Sequence, residues 1–307
     1  MNEPRRHHYL PQCYLKGFCI HPKKRQLFVV DAKQQASFTT NISNIAQERD
    51  FNRIAIEGID PNYIEKEISK FESDVSIAIN NIVENGAFIK NTKDLILNLI
   101  ALLAIRSPQR REQFTGFHSD VVDRILDISL ATEDRWNQSQ SKHPTEKHVS
   151  YKEAKEFYES KKFKVSLTNE YLIETEFKLA DAILPYLHAR NWQLVTTRGN
   201  DNVFITSDNP VKLAWDNPDS IPPFFRESPG FGLPNTTVYF PLTKNHFLIG
   251  RFDKPSGYIE GSHALVCASN GQTIGYTRAQ IFSPSSDARV FGEDKKVMKV
   301  GDIFKAP

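Results

Sequence analysis

Apolar residues recur every three or four positions through the middle of the chain, a spacing that places them on one face of a helix. The first such run, from Ile64 to Ile82, follows Asp60 and Pro61, which favour a helix start, and precedes Gly86, which favours a helix end. The next run, from Leu95 to Ile105, is apolar on nearly every side. It therefore predicts a central helix that is covered over most of its surface.

A third helix is predicted from apolar residues that keep the same spacing, namely Phe117, Val121, Ile125 and Ile128. Residues 133–148 then turn polar, and we expect a flexible surface segment there. Ser150 stands three residues before Glu153, which is the spacing of a capping box and predicts a further helix. Thr168 or Asn169 opens a longer one.

The spacing changes after Arg190, where short segments rich in Val, Ile, Thr and aromatic residues are separated by turn residues. These segments predict strands at 192–197, 203–206, 237–242, 246–252 and 265–268. An earlier strand is predicted from Gln26 to Asp31, with a partner strand nearby. Residues 216–234 predict a long loop rich in proline, and residues 270–282 predict a closing helix.

This order of elements predicts an α+β fold, in which a helical central region packs on a mainly antiparallel sheet. The sheet would be formed chiefly by the C-terminal half, with a short N-terminal strand pair. A parallel sheet is disfavoured because strands and helices do not alternate regularly. We expect one large domain with three sub-regions, at 1–58, 59–190 and 191–307.

Composition places the chain among ordinary globular proteins, with 39% hydrophobic and 25% charged residues. The apolar run at 95–105 is too short to span a bilayer, and the basic N-terminus lacks a secretory signal. Cys13, Cys19 and Cys267 lack a C-x-x-C spacing and fit reduced thiols. We therefore expect a cytoplasmic protein without membrane contact. Because the net charge is only +2, binding of nucleic acid would need a local basic patch.

The N-terminal string that contains Arg5, Arg6, His7 and His8 is the first candidate site. Adjacent imidazoles can act as a general acid or base near neutral pH, and adjacent guanidiniums suit a phosphate group. Gln12 would add a polar contact to a substrate. The alternative is a basic arm that is anchored by apolar residues of a short following helix.

A second candidate is the polar turn of Ser207, Asp208 and Asn209, directly after a predicted strand. Rigid scaffolds often display site residues at such positions. The alternative is an Asx turn before Pro210, in which these side chains satisfy their own backbone.

A third candidate is the cluster of Arg106, Arg110 and Arg111 at the end of the central helix. These guanidiniums would hold an anion, or the helix dipole alone would account for them. The chain lacks a glycine loop for phosphates, a dinucleotide-binding pattern and a zinc-protease pattern. No cofactor is therefore predicted, and a divalent metal such as Mg²⁺ is left open.

Several short motifs occur in order along nearly the whole chain. They are His7 to Gln12 with Tyr14 to Phe18, Leu27 to Asp31, Glu48 to Phe51, Ile105 to Pro108, Ile205 to Pro210, Phe240 to Leu242 and Asn270. In these motifs the chain resembles a bacterial family of unknown function, DUF4238. The resemblance implies no established reaction, although some members are encoded in prophage or mobile-element regions associated with defence against phage. The polar landmarks of the resemblance are His8, Gln12, Arg106, Asp208 and Asn209, with Glu48 and Arg278 as lesser members.

The first function that we expect is an antiphage effector that acts as a nuclease or another phosphate-ester hydrolase. His7 or His8 would be the general acid or base, and Asp208 would orient the imidazole or bind a metal. The substrate contacts would come from Gln12, Arg106, Arg110, Ser207, Asn209 and Arg278.

The alternative function is recognition without catalysis. The protein would then bind a phage component, a nucleotide or a partner protein through the aromatic loop near Phe224, Phe225 and Phe231. A third interpretation gives the motifs only the structural role of fixing the junction between helices and sheet.

Overall fold

The structure is a computed structural model that describes residues 5–21, 23–142, 148–200, 202–226, 229–292 and 296–304. Within these ranges the α-helices are α1 (Gln12–Lys16), α2 (Tyr63–Asn85), α3 (Lys90–Ile105), α4 (Pro108–Ser129), α5 (Glu133–Lys142), α6 (Tyr151–Ser160), α7 (Asn169–His188) and α8 (His263–Ile274). The strands of the N-terminal part are β1 (Arg6–His8), β2 (Gln26–Asp31), β3 (Ala36–Asn41) and β4 (Gln47–Arg49). The later strands are β5 (Asn191–Thr196), β6 (Thr206–Ser207), β7 (Lys212–Trp215), β8 (Thr236–Thr243), β9 (His246–Arg251), β10 (Gly257–Glu260), β11 (Gln280–Ser283), β12 (Arg289–Phe291) and β13 (Val297–Lys299).

The strands form mainly antiparallel sheets, so the predicted α+β class is confirmed. A five-stranded sheet has the order β10-β5-β9-β8-β7, and only the pair of β10 with β5 is parallel within it. A four-stranded antiparallel sheet has the order β3-β2-β11-β6. The N-terminal hairpin therefore continues into strands from the C-terminal part. Two small antiparallel pairs, β1 with β4 and β12 with β13, complete the described strands.

The chain divides into two compact units, one of residues 1–107 with 173–307 and the other of residues 108–172. The first contains all the sheets and, in its main core, the buried faces of α2 and α3. The second contains α4, α5 and α6. The expectation of one large domain with three sub-regions stays a prediction.

Local signals placed the first helices well. Gly86 follows α2 with a positive φ of 64°, the left-handed conformation that glycine adopts easily at a helix end. The buried helix that was predicted from the run at 95–105 is α3, in which eight residues are buried. Ser150 Oγ accepts a hydrogen bond from the backbone N–H of Glu153 at 3.3 Å, so the predicted cap of α6 is confirmed.

Several predictions of local structure were wrong. The strand that was predicted at 203–206 is a strand only over Thr206–Ser207. Residues 265–268 lie in α8, because Ser262 Oγ caps that helix by accepting a hydrogen bond from the N–H of Leu265 at 3.2 Å. An apolar run of four residues cannot distinguish a buried strand from a helix. The predicted closing helix at 270–282 ends at Ile274, and its last residues belong to β11. The segment that was expected to be irregular at 133–148 is helical over 133–142, while residues 143–147 lie outside the described ranges.

No helix among the described residues is both long enough and apolar enough to cross a membrane.

Candidate functional site

The N-terminal motif is built into the fold through its first strand. β1 pairs with β4, so that His7 lies opposite Glu48. His7 is almost fully buried, and its Nδ1 accepts a hydrogen bond from the backbone N–H of Asn52 at 2.9 Å. Residues 6–8 of the basic arm that was considered as the alternative therefore form a paired strand. Arg5 also forms an ion pair with Asp50 next to β4.

Asn52 joins His7 to the end of the central helix. Its side-chain oxygen accepts a hydrogen bond from the guanidinium of Arg106, and its side-chain amide donates one to Glu65. Arg106 also donates from Nε to Oε2 of Glu176 at 3.3 Å. Asn52, Arg106 and Glu176 are all at least 97% buried. We call this set of five residues the Arg106 network.

The Arg106 network supplies hydrogen-bond acceptors to the buried guanidinium of Arg106. A buried arginine requires a carboxylate or several hydrogen-bond acceptors, because the loss of hydration is otherwise too costly. The aromatic rings of Phe51 and Phe177 also lie against this guanidinium, at 5.4 and 6.0 Å from its Cζ. A phosphate would have to displace Glu176 or Asn52 to reach it. The assignment of Arg106 to a substrate stays a prediction.

Glu72 lies on α2 beside this network and is electrostatically coupled to it. Burial and the nearby carboxylate of Glu65 together raise the pKa of Glu72 to about 7, although Arg106 lowers it. The carboxyl group therefore titrates near neutral pH, which no pattern along the chain indicated.

Asp208 is held by the backbone of a distant segment. Its two carboxylate oxygens accept hydrogen bonds from the N–H groups of Arg278, Ala279 and Gln280 at 3.0, 2.8 and 3.1 Å. Burial raises the pKa of Asp208, while these three N–H groups oppose the shift. The carboxylate thus ties the end of β6 to the start of β11.

The neighbours of Asp208 also bond to the main chain. Ser207 Oγ accepts a hydrogen bond from the N–H of Asn209 at 3.2 Å, and the side-chain amide of Asn209 donates to the carbonyl oxygen of Tyr276 at 3.2 Å. The first of these contacts is local to the turn, as in a turn that satisfies its own backbone, whereas the second reaches a segment 67 residues away. The predicted substrate contacts of Ser207, Asn209 and Arg278 stay predictions.

Two tyrosines connect the N-terminal motif with the Asp208 turn. The hydroxyl of Tyr14 lies 2.7 Å from Thr206 Oγ1 and donates to the carbonyl oxygen of Pro241 at 2.7 Å. Burial raises the pKa of Tyr9, and the carboxylate of Asp208 raises it further. The N-terminal motif is therefore linked both to the end of the central helix and to the polar turn. The contacts run through Asn52, Tyr9 and Tyr14.

His8 lies on the other side of β1 from His7. Its Nδ1 is 3.4 Å from the side-chain amide of Gln12, whose oxygen accepts a hydrogen bond from Arg25. Burial lowers the pKa of His8, although Glu65 opposes the shift. Arg110 belongs to the second unit, where it donates to Gln113 at 3.1 Å on the exposed surface. The roles of His8, Gln12 and Arg110 at a site stay predictions.

A cleft of about 310 Å³ opens between α1, α2 and the turn that joins β8 to β9. We call it the lysine cleft, and it is lined by Cys13, Lys16, Gly17, Cys19, Ser76, Ile79, Asn80, Val83, Thr243, Lys244, Asn245 and His246. None of these lining residues is acidic. Burial raises the pKa of Cys19 to about 11, and the cations Arg25, Lys16 and Lys244 each lower it. Positive charge therefore converges on this part of the structure.

The turn that carries Lys244 is fixed against α1. The N–H of Lys244 donates to the carbonyl oxygen of Gly17 at 3.0 Å. A Cβ at Gly17 would lie 3.1 Å from Thr243 Cγ2, so glycine permits this close approach. Thr243 Oγ1 lies 2.8 Å from Nδ1 of His246, and burial lowers the pKa of His246. The imidazole is consequently oriented by a hydroxyl and is mostly neutral at pH 7.

The sequence analysis did not identify this cleft. Lys16 and Gly17 lie within the N-terminal motif, but Lys244 and His246 occur in an ordinary hairpin turn. No group of three or more His, Cys, Asp or Glu side chains among the described residues is arranged to hold a metal ion. The expectation that Mg²⁺ takes part stays open.

The protein is thus of the α+β class, and its N-terminal motif contributes residues both to the Arg106 network and to the lysine cleft. The family model described as "Protein of unknown function (DUF4238)" matches residues 6–287 of the 307 in the chain. The chain therefore belongs to this family, as its motifs indicated. The comparison with curated proteins gave no match, and neither did the comparison with solved structures.

Proposed function

We propose that this protein binds a small phosphate-bearing ligand, of the size of a nucleotide, in the lysine cleft. The observation that carries the proposal is the charge of the lining, which includes Lys16 and Lys244 and no acidic residue. A lysine ammonium binds phosphate as a point charge with three donors. An acidic ligand would therefore gain two favourable contacts at this cleft without displacing an internal carboxylate.

The size of the cleft favours a small molecule. Its volume of about 310 Å³ is at the lower end of the range of about 300–1,000 Å³ that is typical of ligand sites. Ser76, Asn80 and Asn245 supply neutral polar groups, and Ile79 and Val83 supply an apolar wall. This combination suits a ligand with one charged end and one less polar end, as in a nucleotide.

The proposal keeps nucleotide recognition, which was the alternative function predicted from the sequence, but places it in the lysine cleft and not at the aromatic loop. The aromatic loop would then bind a different partner, because the side chains of Phe224 and Phe225 are 89% and 61% exposed. A phage component or a partner protein remains a proposal for that loop. We also propose the cytoplasm as the location, since Cys13, Cys19 and Cys267 are all free thiols.

The second candidate is the nuclease or phosphate-ester hydrolase that acts in defence against phage. It is supported by the connection of His7 to Arg106 through Asn52, which brings one expected catalytic side chain and one expected substrate contact into one network. The defence role itself rests on the family resemblance. In this candidate Arg106 would exchange Glu176 for a substrate phosphate during the reaction.

A thermal-shift panel tests the first candidate. Wild type would be melted with AMP, ADP, ATP, inorganic phosphate and, as uncharged control, adenosine. We expect at least one phosphate-bearing compound to raise the Tm in wild type and in Lys33→Ala, whose side chain is exposed on the β2–β3 hairpin. The double variant Lys16→Ala/Lys244→Ala should lose the shift. The proposal fails if no phosphate compound stabilises wild type, or if the double variant responds as wild type does.

An activity assay separates the second candidate from the first. Wild type would be incubated with single-stranded and double-stranded nucleic acid and with nucleotides, with and without Mg²⁺, and products would be followed by mass spectrometry. If the protein is a hydrolase, wild type should form products and a folded Arg106→Lys variant should not. Binding in the lysine cleft without products in any mixture would leave recognition as the function.

A further inference from the structure

One face of α4 is apolar and exposed along most of its length. Phe117, Val121, Ile125 and Ile128 are 64%, 36%, 56% and 64% exposed. Their spacing of four, four and three residues places them in one continuous stripe. Contiguous apolar surface of this kind usually marks an interaction site, because its exposure to water is unfavourable. The sequence pattern predicted a helix here, yet this stripe is not part of a core.

The other faces of α4 already have partners within residues 108–172. Tyr158 on α6 donates from its hydroxyl to Asp127 Oδ1 at 2.7 Å. His118 Nε2 lies 2.9 Å from the hydroxyl of Tyr171. These contacts fix the orientation of α4, so that a rotation of the helix to bury the stripe would break them.

We propose that α4 pairs with α4 of a second copy of this chain, antiparallel and about a twofold axis at Val121. Phe117 and Ile125 lie four residues on either side of Val121. The twofold operation therefore places Phe117 of one copy opposite Ile125 of the other, each about 6 Å along the helix axis from the centre. The stripe is in this way complementary to itself.

The charges beside the stripe support a second copy as the partner. Asp120 and Arg124 are exposed on the same flank of α4, and no ion pair of either is found among the described residues. In an antiparallel pair about a twofold axis, like flanks face each other, so Arg124 of one copy lies about 3 Å along the axis from Asp120 of the other. Two symmetrical ion pairs would therefore border the apolar contact.

The length of the stripe predicts a weak dimer. α4 has 22 residues and is thus about 33 Å long. One helix face of this length is smaller than the roughly 800 Å² per partner of a standard stable interface. The dimer should consequently form at micromolar concentrations or above and dissociate on dilution.

Sedimentation velocity over a series of concentrations tests the dimer. We expect the dimer fraction of wild type to rise with concentration and Ile125→Glu to stay monomeric. Ile77→Glu is the matched control, because Ile77 is 61% exposed on α2; this variant should dimerise as wild type does. A wild type that is monomeric throughout, or a control that dissociates as fully as Ile125→Glu, would overturn the proposal. Circular dichroism would confirm that each variant is folded.

Disulfide cross-linking tests the axis and direction. Val121→Cys should cross-link to itself, whereas Phe117→Cys and Ile125→Cys should cross-link only when the two variants are mixed. Wild type, with its three cysteines, is the background control. Cross-linking of Phe117→Cys to itself at the rate of Val121→Cys would indicate a parallel pair and would contradict the proposal.

Charge reversal provides an independent readout. Asp120→Arg should lower the dimer fraction, because it places two cations together, and Asp120→Arg/Arg124→Asp should restore it. A double variant that dimerises no better than the single variant would exclude this register.

Discussion

The guanidinium of Arg106 and the carboxylate of Glu176 form an ion pair with an Nε to Oε2 distance of 3.3 Å, and both side chains are almost completely withdrawn from solvent. The pair joins the residue after α3 to α7, and Asn52 completes the contacts of the guanidinium. Because neither charge is hydrated, each depends on the other. The ion pair therefore holds Arg106, which was predicted to bind a substrate phosphate, in the interior of the protein.

Removal of one partner of this pair should be strongly destabilising. We expect Glu176→Ala to lower the free energy of unfolding by about 3–5 kcal/mol, since it leaves a buried guanidinium without its carboxylate. Glu174→Ala on the same helix is the control, because Glu174 forms only an exposed pair with Lys178 and should cost about 0.5 kcal/mol or less. Denaturant titration measures both. Equal losses in the two variants would contradict the structural role of the pair.

Glu72 should make stability depend on pH. Its carboxyl has a pKa of about 7 in the folded protein, whereas the ordinary pKa of a glutamate is 4.5. The folded state therefore holds a proton that the unfolded state releases between these values, and this contribution to stability is lost as the pH rises from about 4.5 through 7. Glu72→Gln should remove this loss and be more stable than wild type at pH 8 by about 1–3 kcal/mol.

The measurement for Glu72 is the difference in unfolding free energy between variant and wild type at pH 5 and at pH 8. Glu84→Gln, an exposed position on the same helix, is the control and should show the same difference at both values. A Glu72→Gln variant whose advantage does not grow with pH would show that this carboxyl does not titrate near 7.

Asp208 should matter to stability even without a ligand. Asp208→Asn replaces one of the two carboxylate oxygens that accept from backbone N–H groups with an NH2 group, which cannot accept a hydrogen bond. We expect a loss of about 1–3 kcal/mol in the free energy of unfolding. Asp219→Asn, which is exposed, should change it by less than about 0.5 kcal/mol. If Asp208→Asn melts like wild type, the three hydrogen bonds do not hold β6 and β11 together.

Tyr14→Phe should weaken the junction between α1 and the sheets. The variant keeps the ring contact with Phe240, whose centroid lies 5.4 Å away, but leaves the carbonyl oxygen of Pro241 without its hydroxyl donor. The expected cost is about 1–2 kcal/mol. Tyr63→Phe is the control, because Tyr63 is 48% exposed. Thermal melts of the two variants with equal midpoints would contradict this role.

The sequence predicted most of the fold because its signals are local. The glycine after α2, the apolar spacing of α2 and α3, and the runs rich in Val, Ile, Thr and aromatic residues at β5, β8 and β9 each lie within a short stretch of chain. Residues 265–268 were wrongly predicted as a strand, because a run of four apolar residues is too short to show helical or strand periodicity. They lie in α8, whose first turn is capped by Ser262.

The candidate site was less visible because its contacts join distant segments. Arg106 meets Asn52 across 54 residues and Glu176 across 70 residues. Neither partner belongs to a recognisable motif. The basic lining of the lysine cleft likewise depends on the fold, which places Lys16 and Lys244 on the same cleft. The spacing of these residues along the chain cannot predict this placement.

Calorimetric titration at low salt is the most direct measurement of phosphate-ligand binding in the lysine cleft. ADP would be titrated into wild type, Lys33→Ala and Lys16→Ala/Lys244→Ala, each verified as folded. We predict saturable binding by the first two proteins, at least a tenfold weaker affinity in the double variant, and weakening of wild-type binding as salt is added. Absence of binding by wild type, or equal affinity in the double variant, would contradict the claim.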